Sequence, residues 1–299
     1  MDKNRMKKKK VSSGSGFLFD KVVIVGMGFM GGCLGKTLLE KRIARSVAGV
    51  GRNAGRLKTA LKMGAASEIS ADIKNARMSD ADIVVISVPV KKIPVIFRMI
   101  KNKLGKDTIV TDMGSVKGYV IKEIKKDDNK GCFIGSHPMV GSEKSGIAYS
   151  HSGLFEKGVC IVTPENKNDL KKTRKVTAMW RAAGMKTVNL SPAAHDAGVS
   201  KISHLPHFLA FALVNFAVPA VKDNCDIIGS GFRDATRIAS SDEFVWSEIF
   251  ETNRKRLLKD IDSFAREMRM FRKEIEKGDF EKVEKYIKKA AGIRGKIKE

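Results

Sequence analysis

The feature that most constrains this chain is an apolar run that breaks directly into glycines. Val22 to Val25 leads into Gly26-Met27-Gly28-Phe29-Met30-Gly31, after which Leu34, Leu38 and Leu39 recur at helical spacing. A GxGxxG element is informative when it joins a strand to a helix, because each glycine then has a separate role. Gly26 permits the tight turn, Gly28 lets the backbone approach a pyrophosphate, and Gly31 lets helix and strand pack closely. The amide groups at the helix start, around Phe29 and Met30, meet the anion. The element predicts a βαβ unit that binds a dinucleotide.

The rest of the first half agrees with that unit. Short β-branched runs at 22–25, 47–50, 83–88, 108–111, 132–134, 159–162 and 187–190 alternate with helical patterns, the signature of a mainly parallel sheet. The first four runs are nearly all apolar, as strands covered on both faces should be. After Pro192 the strand signals stop. Leu257, Ile261, Phe264, Met268, Phe271 and Ile275 then make one helical stripe, Gly278 and Asp279 supply a stop and a new N-cap, and Phe280, Val283 and Ile287 line a last helix.

The expected fold class is therefore α/β, with an N-terminal doubly wound Rossmann-type domain followed by an all-helical C-terminal domain. Residues 1–16 read as a disordered basic tail, 17–190 as the dinucleotide-binding domain, and 191–299 as a helical substrate and dimerisation domain that makes a homodimer. The apolar stretch Phe208 to Val221 holds Asn215 and Pro219. It falls short of the roughly 20 residues a membrane span needs, so a buried helix and no membrane association are expected.

Lys and Arg outnumber Asp and Glu by 57 to 33, a formal charge of +24, which favours anionic partners. Few aromatics interleave with the lysines as a base-stacking surface requires, so a small anionic metabolite is expected rather than specific nucleic acid. Cys33, Cys132, Cys160 and Cys225 are widely separated. That spacing suggests neither a disulfide framework nor a metal site, and it fits a reducing cytoplasm.

The second strand ends in Val50-Gly51-Arg52-Asn53, where an NAD-specific domain places an acid against the ribose 2′-hydroxyl. No acid is there. Arg52 suits a 2′-phosphate and favours NADP over NAD, the alternative being an exposed arginine that stacks on adenine or faces solvent. Asn53, with Val88 and Pro89 at the exit of the strand beginning at Ile83, completes the expected cofactor-binding set.

Three further segments carry chemistry. Asp112-Met113-Gly114-Ser115-Val116-Lys117 and Ser136-His137-Pro138-Met139-Val140-Gly141-Ser142-Glu143-Lys144-Ser145-Gly146 follow strands at their carboxyl ends, where doubly wound sheets bind ligands. A histidine there can take the proton of a hydroxyl as hydride leaves the same carbon; the alternative for His137 is a turn residue locked by Pro138. The third segment runs from Ser203-His204-Leu205-Pro206-His207 to Phe232-Arg233-Asp234-Ala235-Thr236-Arg237. His204 and His207 are three apart and Arg233 and Arg237 four apart, so each pair shares a face if both segments are helical. Paired guanidinium groups suit a dicarboxylate; taken singly, these residues also read as caps or exposed charges, and for Arg233 that reading prevails, its expected partner being Asp234 or a nearby acid.

With these motifs in this order, the chain resembles the prephenate/arogenate dehydrogenases of tyrosine biosynthesis. The resemblance rests on GMGFMGG, DMGSVKG, SHPMVGSEKSG, the SHLPH segment with His195-Asp196 upstream, and GFRDATRIASSDEFVW. It implies oxidative decarboxylation of prephenate or arogenate with hydride transfer to NAD(P). It further implies that His137 is the base and Ser115 orients the reacting hydroxyl. Arg237 then holds a substrate carboxylate, His204 and His207 belong to the substrate pocket, and Glu143, beside Ser142, gates or polarises it. Ser142 departs from the threonine more usual there. Two other readings compete. A β-hydroxyacid dehydrogenase of the same layout requires a catalytic lysine in its helical domain, and a basic nucleic-acid-binding protein would use the Lys-rich termini.

Overall fold

A computed structural model describes residues 16–128, 131–141, 144–165, 169–221 and 225–297. The expected basic tail, apart from Gly16, lies outside the described residues. Two compact units are present: the first runs to His195 and takes in Ser241–Glu248, and the second comprises Asp196–Ser240 and the chain from Ile249 on. The return of Ser241–Glu248 to the first unit differs from a single cut at 190/191. Within that unit the Glu248 carboxylate accepts from the Lys91 amide at 3.1 Å.

The first unit is an eight-stranded sheet in the order β3-β2-β1-β4-β5-β6-β7-β8. The strands are β1 (Phe19–Val25), β2 (Ala44–Val50), β3 (Glu68–Ser70), β4 (Ile83–Ile86), β5 (Ile109–Asp112), β6 (Phe133–Pro138), β7 (Val159–Thr163) and β8 (Lys186–Asn189). All neighbours are parallel except β6 and β7, which are antiparallel. Helices α1 (Phe29–Glu40), α2 (Ala54–Lys62), α3 (Ile93–Ile100), α4 (Lys117–Lys125) and α5 (Leu170–Ala182) connect them. The chain leaves β1 for β2 on one side and later returns to β4 on the other. The strand order reverses there, and such a point opens a crevice at the carboxyl ends of the strands.

Every strand expected from an apolar run is present. Val22, Val23, Ile24 and all four residues of β4 are fully buried, as coverage on both faces requires. Two things differ from expectation. β3 adds a three-residue edge strand whose one apolar residue, Ile69, is exposed, so it carries no alternation to read. β6 runs on to Pro138, pairing with β5 at Phe133 and Ile134 and with β7 from Gly135 to Pro138. Its polar Ser136-His137-Pro138 end lacks β propensity, and the antiparallel neighbour recruits it nonetheless. His137 therefore stands on a strand, opposite Ile161, and not in a loop.

Helix α6 (Pro192–Val199) carries the chain out of the first unit, and a π turn at Ser200–His204 joins it to α7 (Leu205–Val221). Single π turns inside helices frequently mark functional positions. Then come α8 (Ser230–Thr236), α9 (Glu243–Thr252), α10 (Arg254–Glu276) and α11 (Phe280–Arg294). Gly278 takes φ +71°, and Asp279 caps α11 by accepting from the Lys282 amide at 3.2 Å, as the sequence suggests. The expected buried helix is corrected. Pro192–Pro219 is one helical stretch of 28 residues, and its most apolar 18-residue window has mean hydropathy 1.3 and is only 11% buried. It thus passes the length test for a membrane span, and much of its apolar surface, Phe216 above all, is uncovered in the single chain.

Candidate active site

The glycine turn forms because the backbone passes where no side chain fits. A Cβ on Gly26, whose φ is +106°, would lie 2.1 Å from the Ser87 carbonyl oxygen, and a Cβ on Gly31 would lie 2.0 Å from the Gly26 carbonyl oxygen. Close packing of β1, β4 and α1 explains both. Gly28 is different, because a Cβ there would meet nothing within 4 Å and its φ is −86°. Packing gives no reason for this glycine, whereas the approach of an anion to the backbone does. Gly28 is the N-cap of α1 and lends no side-chain cap, and the first turn holds no acid. The amides at the helix start thus keep their capacity for a pyrophosphate.

The other expected cofactor residues gather at the same edge. Val88 packs against Gly26, and Pro89 is exposed and opens the turn Val90–Lys92. Arg52 is exposed beyond β2, whose last residue, Val50, accepts from the Gly26 amide at 2.8 Å. Asn53 is committed to the fold, since its side chain caps α2 by accepting from the Arg56 amide at 2.9 Å. The Phe29 ring belongs to the core, and the half-buried Met30 packs against it. The residues present fit a dinucleotide.

The expected catalytic residues follow β5 and end β6. Ser115 is half-buried on the short link from β5 to α4. Around it lies a buried polar network. Lys117 and Asp112 form an ion pair with neither side chain exposed, and Lys117 Nζ also donates to the Ser136 carbonyl at 2.8 Å. Asp112 accepts from the Ser136 amide at 3.1 Å and the Gly114 amide at 2.9 Å. The Ser136 hydroxyl donates to the Asp112 carbonyl at 2.6 Å and accepts from Trp180 Nε1 at 3.0 Å and Thr111 Oγ1 at 2.9 Å. One donor and two lone pairs are thereby used up, so Ser136 is a structural node that fixes the backbone entering His137.

His137 is 7% exposed and its Nδ1 lies 2.8 Å from Nε2 of His195, which is wholly buried. The rings meet edge to face, 5.1 Å between centroids. In a protein interior such a pair holds each ring's orientation firmly. Burial pushes the thiol of nearby Cys160 well up, which keeps it protonated and no nucleophile. Neither His195 nor the Lys117–Asp112 pair is singled out by sequence reasoning. Both lie inside the quoted motifs, but a separation of 58 positions between the histidines gives spacing no purchase.

In the second unit the two histidines have different partners. His204 closes the π turn and is 1% exposed, and its Nδ1 accepts from Asn253 Nδ2 at 3.1 Å. Asn253 donates also to the Asp196 carbonyl at 3.1 Å. His207 is half-buried on α7, with Nδ1 donating to the Ser203 carbonyl at 2.9 Å. Burial first, and the charge of Arg237 after it, hold its imidazole below the ordinary value, with the Ser203 bond opposing them. The fold thus brings His207 and Arg237 together. Arg233 lies in α8, which ends at Thr236, and Arg237 is its C-cap and opens a 3₁₀ turn. Ser142 and Glu143 lie outside the described residues.

Comparison with known proteins matches residues 34–189 to the prephenate dehydrogenase nucleotide-binding domain and 191–289 to the prephenate dehydrogenase dimerization domain. The chain belongs to the prephenate dehydrogenase family. Prephenate dehydrogenase of Bacillus subtilis is 30% identical over 283 residues, 92% of this chain and 75% of that protein. Cyclohexadienyl dehydrogenase of Zymomonas mobilis is 29% identical over 243 residues, 80% of this chain and 82% of that protein. Among solved structures, prephenate dehydrogenase from Aquifex aeolicus in complex with hydroxyphenyl propionate and NAD+ has a TM-score of 0.85 and 33% identity. The match covers 97% of this chain and 100% of that one. Family membership sets aside the β-hydroxyacid reading.

Proposed function

We propose that this chain oxidatively decarboxylates prephenate or arogenate on the route to tyrosine. The observation that carries the reading is the His137 imidazole at the outer end of β6, on the sheet whose β1 leads into the glycine turn. Three strand positions separate β1 from β6, about 14 Å at ordinary strand spacing. A nicotinamide dinucleotide, held by Gly26, Gly28 and the amides of α1, supplies the hydride acceptor when bound. His137 takes the proton of the ring hydroxyl, whose O–H electron pair becomes part of the new carbonyl. Ser115 orients that hydroxyl. Loss of the ring carboxylate as carbon dioxide returns its bonding pair to the ring, the former carbonyl oxygen takes the proton back from His137 as a phenol, and aromatisation makes the step irreversible. Arg237, as a charged fork, and the neutral His207 hold the side-chain carboxylate. Their contribution is positioning and electrostatics.

Arg52 in place of an acid supports NADP beside the NAD+ of the Aquifex protein. Ile202, Leu213 and Phe216, exposed on the second unit, support a homodimer through the dimerization domain. The buried free thiols of Cys33, Cys132 and Cys160 accord with the cytoplasm. A steady-state assay crossing prephenate and arogenate with NAD and NADP tests the activity; release of carbon dioxide with reduction of the dinucleotide is expected from at least one pairing. No turnover in any of the four would overturn the reading. Sedimentation should find a dimer, and a monomer at micromolar concentration would count against the interface.

A further inference from the structure

We infer that His195 is a positioning residue that fixes the tautomer of His137. This rests on the proposed role of His137 as the base. Two imidazoles joined through Nδ1 of one and Nε2 of the other at 2.8 Å share a single proton along that line. In one arrangement His137 carries it on Nδ1 and donates to the lone pair of His195 Nε2. The Nε2 of a neutral His137 is then unprotonated and able to take the hydroxyl proton. In the other arrangement His195 Nε2 donates, a neutral His137 holds its proton on Nε2, and that atom cannot act as a base.

Turnover therefore requires His195 to be the acceptor, with its own proton on Nδ1. The geometry favours a fixed arrangement over an exchanging one, since His195 has no exposed surface and His137 only 7%. His195 is also anchored by its backbone: its amide donates to the Ser191 carbonyl at 2.9 Å in the first turn of α6. His137 is held in the β6–β7 ladder opposite Ile161, with Ser136 locked on its other side. Neither backbone can yield without breaking regular structure. The proton path is then short and balanced. The substrate hydroxyl gives its proton to His137 Nε2, forming the imidazolium, and the Nδ1–H bond to His195 remains in place throughout. The neutral His195 steadies that cation through its lone pair and takes up no proton itself.

The test compares three variants of the full-length protein. His195→Leu removes the acceptor, while His195→Gln offers an amide oxygen near the place of Nε2; His137→Asn is the control for the base. The Leu variant is expected to lose about a hundredfold in kcat, within the range that general-base catalysis supplies, with KM and dinucleotide affinity little changed. The Gln variant should recover most of that loss. Turnover within about threefold of wild type in the Leu variant, or an equal loss in both variants with dinucleotide binding intact, overturns the inference. If His137→Asn turns over normally, the base reading itself fails and takes this one with it. Loss in His137→Asn but not in His195→Leu overturns the role of His195 alone. Should the Leu variant not fold, ¹⁵N spectra of the wild-type histidines decide: a proton on Nδ1 of His137 is expected, and a proton on its Nε2 overturns the assignment.

Discussion

Lys117 and Asp112 hold each other in the interior of the first unit, with no exposed surface on either side chain. The pair spans the link that carries Ser115, and through Ser136 it reaches the backbone next to His137. A buried pair of this kind gains little over an apolar substitute, yet breaking it leaves a charge without compensation. Lys117→Met should therefore cost about 3–5 kcal/mol. The double variant Lys117→Met/Asp112→Asn should be more stable than Lys117→Met alone, because the stranded carboxylate is gone. Urea unfolding measures both. A double variant no more stable than the single one would show that lost packing, not the unpaired charge, sets the cost.

His207 and Arg237 give a prediction about pH. Burial, followed by the Arg237 charge, holds the imidazole below its ordinary 6.5. The folded unit therefore favours neutral His207, and this contribution to stability is complete above pH 6.5 and is lost as pH falls through the lower folded value. At neutral pH the ring is uncharged. Arg237→Gln should raise the His207 titration midpoint while leaving it under 6.5, since burial, the larger cause, persists. NMR titration of the ring Cε1 proton reads this directly, and an unmoved midpoint would mean the guanidinium does not act on that ring.

Sequence makes legible what burial dictates and loses what only tertiary contact dictates. Val22 to Val25 and Ile83 to Ile86 are readable because both faces of those strands are covered, so nearly every residue must be apolar. Glu68–Ser70 has no such pattern, being a short edge. Ser136, His137 and Pro138 read as loop, and only pairing with β7 makes them strand. The glycine turn is legible in full because steric exclusion leaves no other residue at Gly26 and Gly31. The His137–His195 contact and the Lys117–Asp112 pair are not, since the partner of a buried polar group is chosen by the fold and not by periodicity. Asn53 reads as a cofactor residue but spends its side chain capping α2, and His204 spends its own on Asn253. The exposed apolar face of α7 looks like core in sequence because composition alone does not tell a covered apolar face from an exposed one.

Arg52 carries a prediction about the dinucleotide. If its guanidinium meets a 2′-phosphate, Arg52→Asp removes a charge-assisted contact worth about 1.5–3 kcal/mol and offers an acid to the free ribose hydroxyl instead. The ratio of kcat/KM for NADP to that for NAD should fall by roughly 10- to 100-fold. Parallel assays with the two dinucleotides measure it, and a ratio that does not move would place Arg52 outside cofactor selection.

Gly28 and Gly31 should separate ligand binding from folding. An alanine at Gly31 sets a methyl 2.0 Å from the Gly26 carbonyl oxygen, a backbone clash that no rotamer relieves, so Gly31→Ala should destabilise the first unit by about 1–3 kcal/mol. An alanine at Gly28 meets nothing within 4 Å, and its φ of −86° suits any residue. Gly28→Ala should therefore unfold within about 0.5 kcal/mol of wild type while binding the dinucleotide roughly tenfold or more weakly, because the new methyl stands where the pyrophosphate approaches. Thermal unfolding and a fluorescence titration with the dinucleotide distinguish the two. If Gly28→Ala binds normally, the glycine at that position serves something other than the cofactor, and the anion site must be sought elsewhere on the edge.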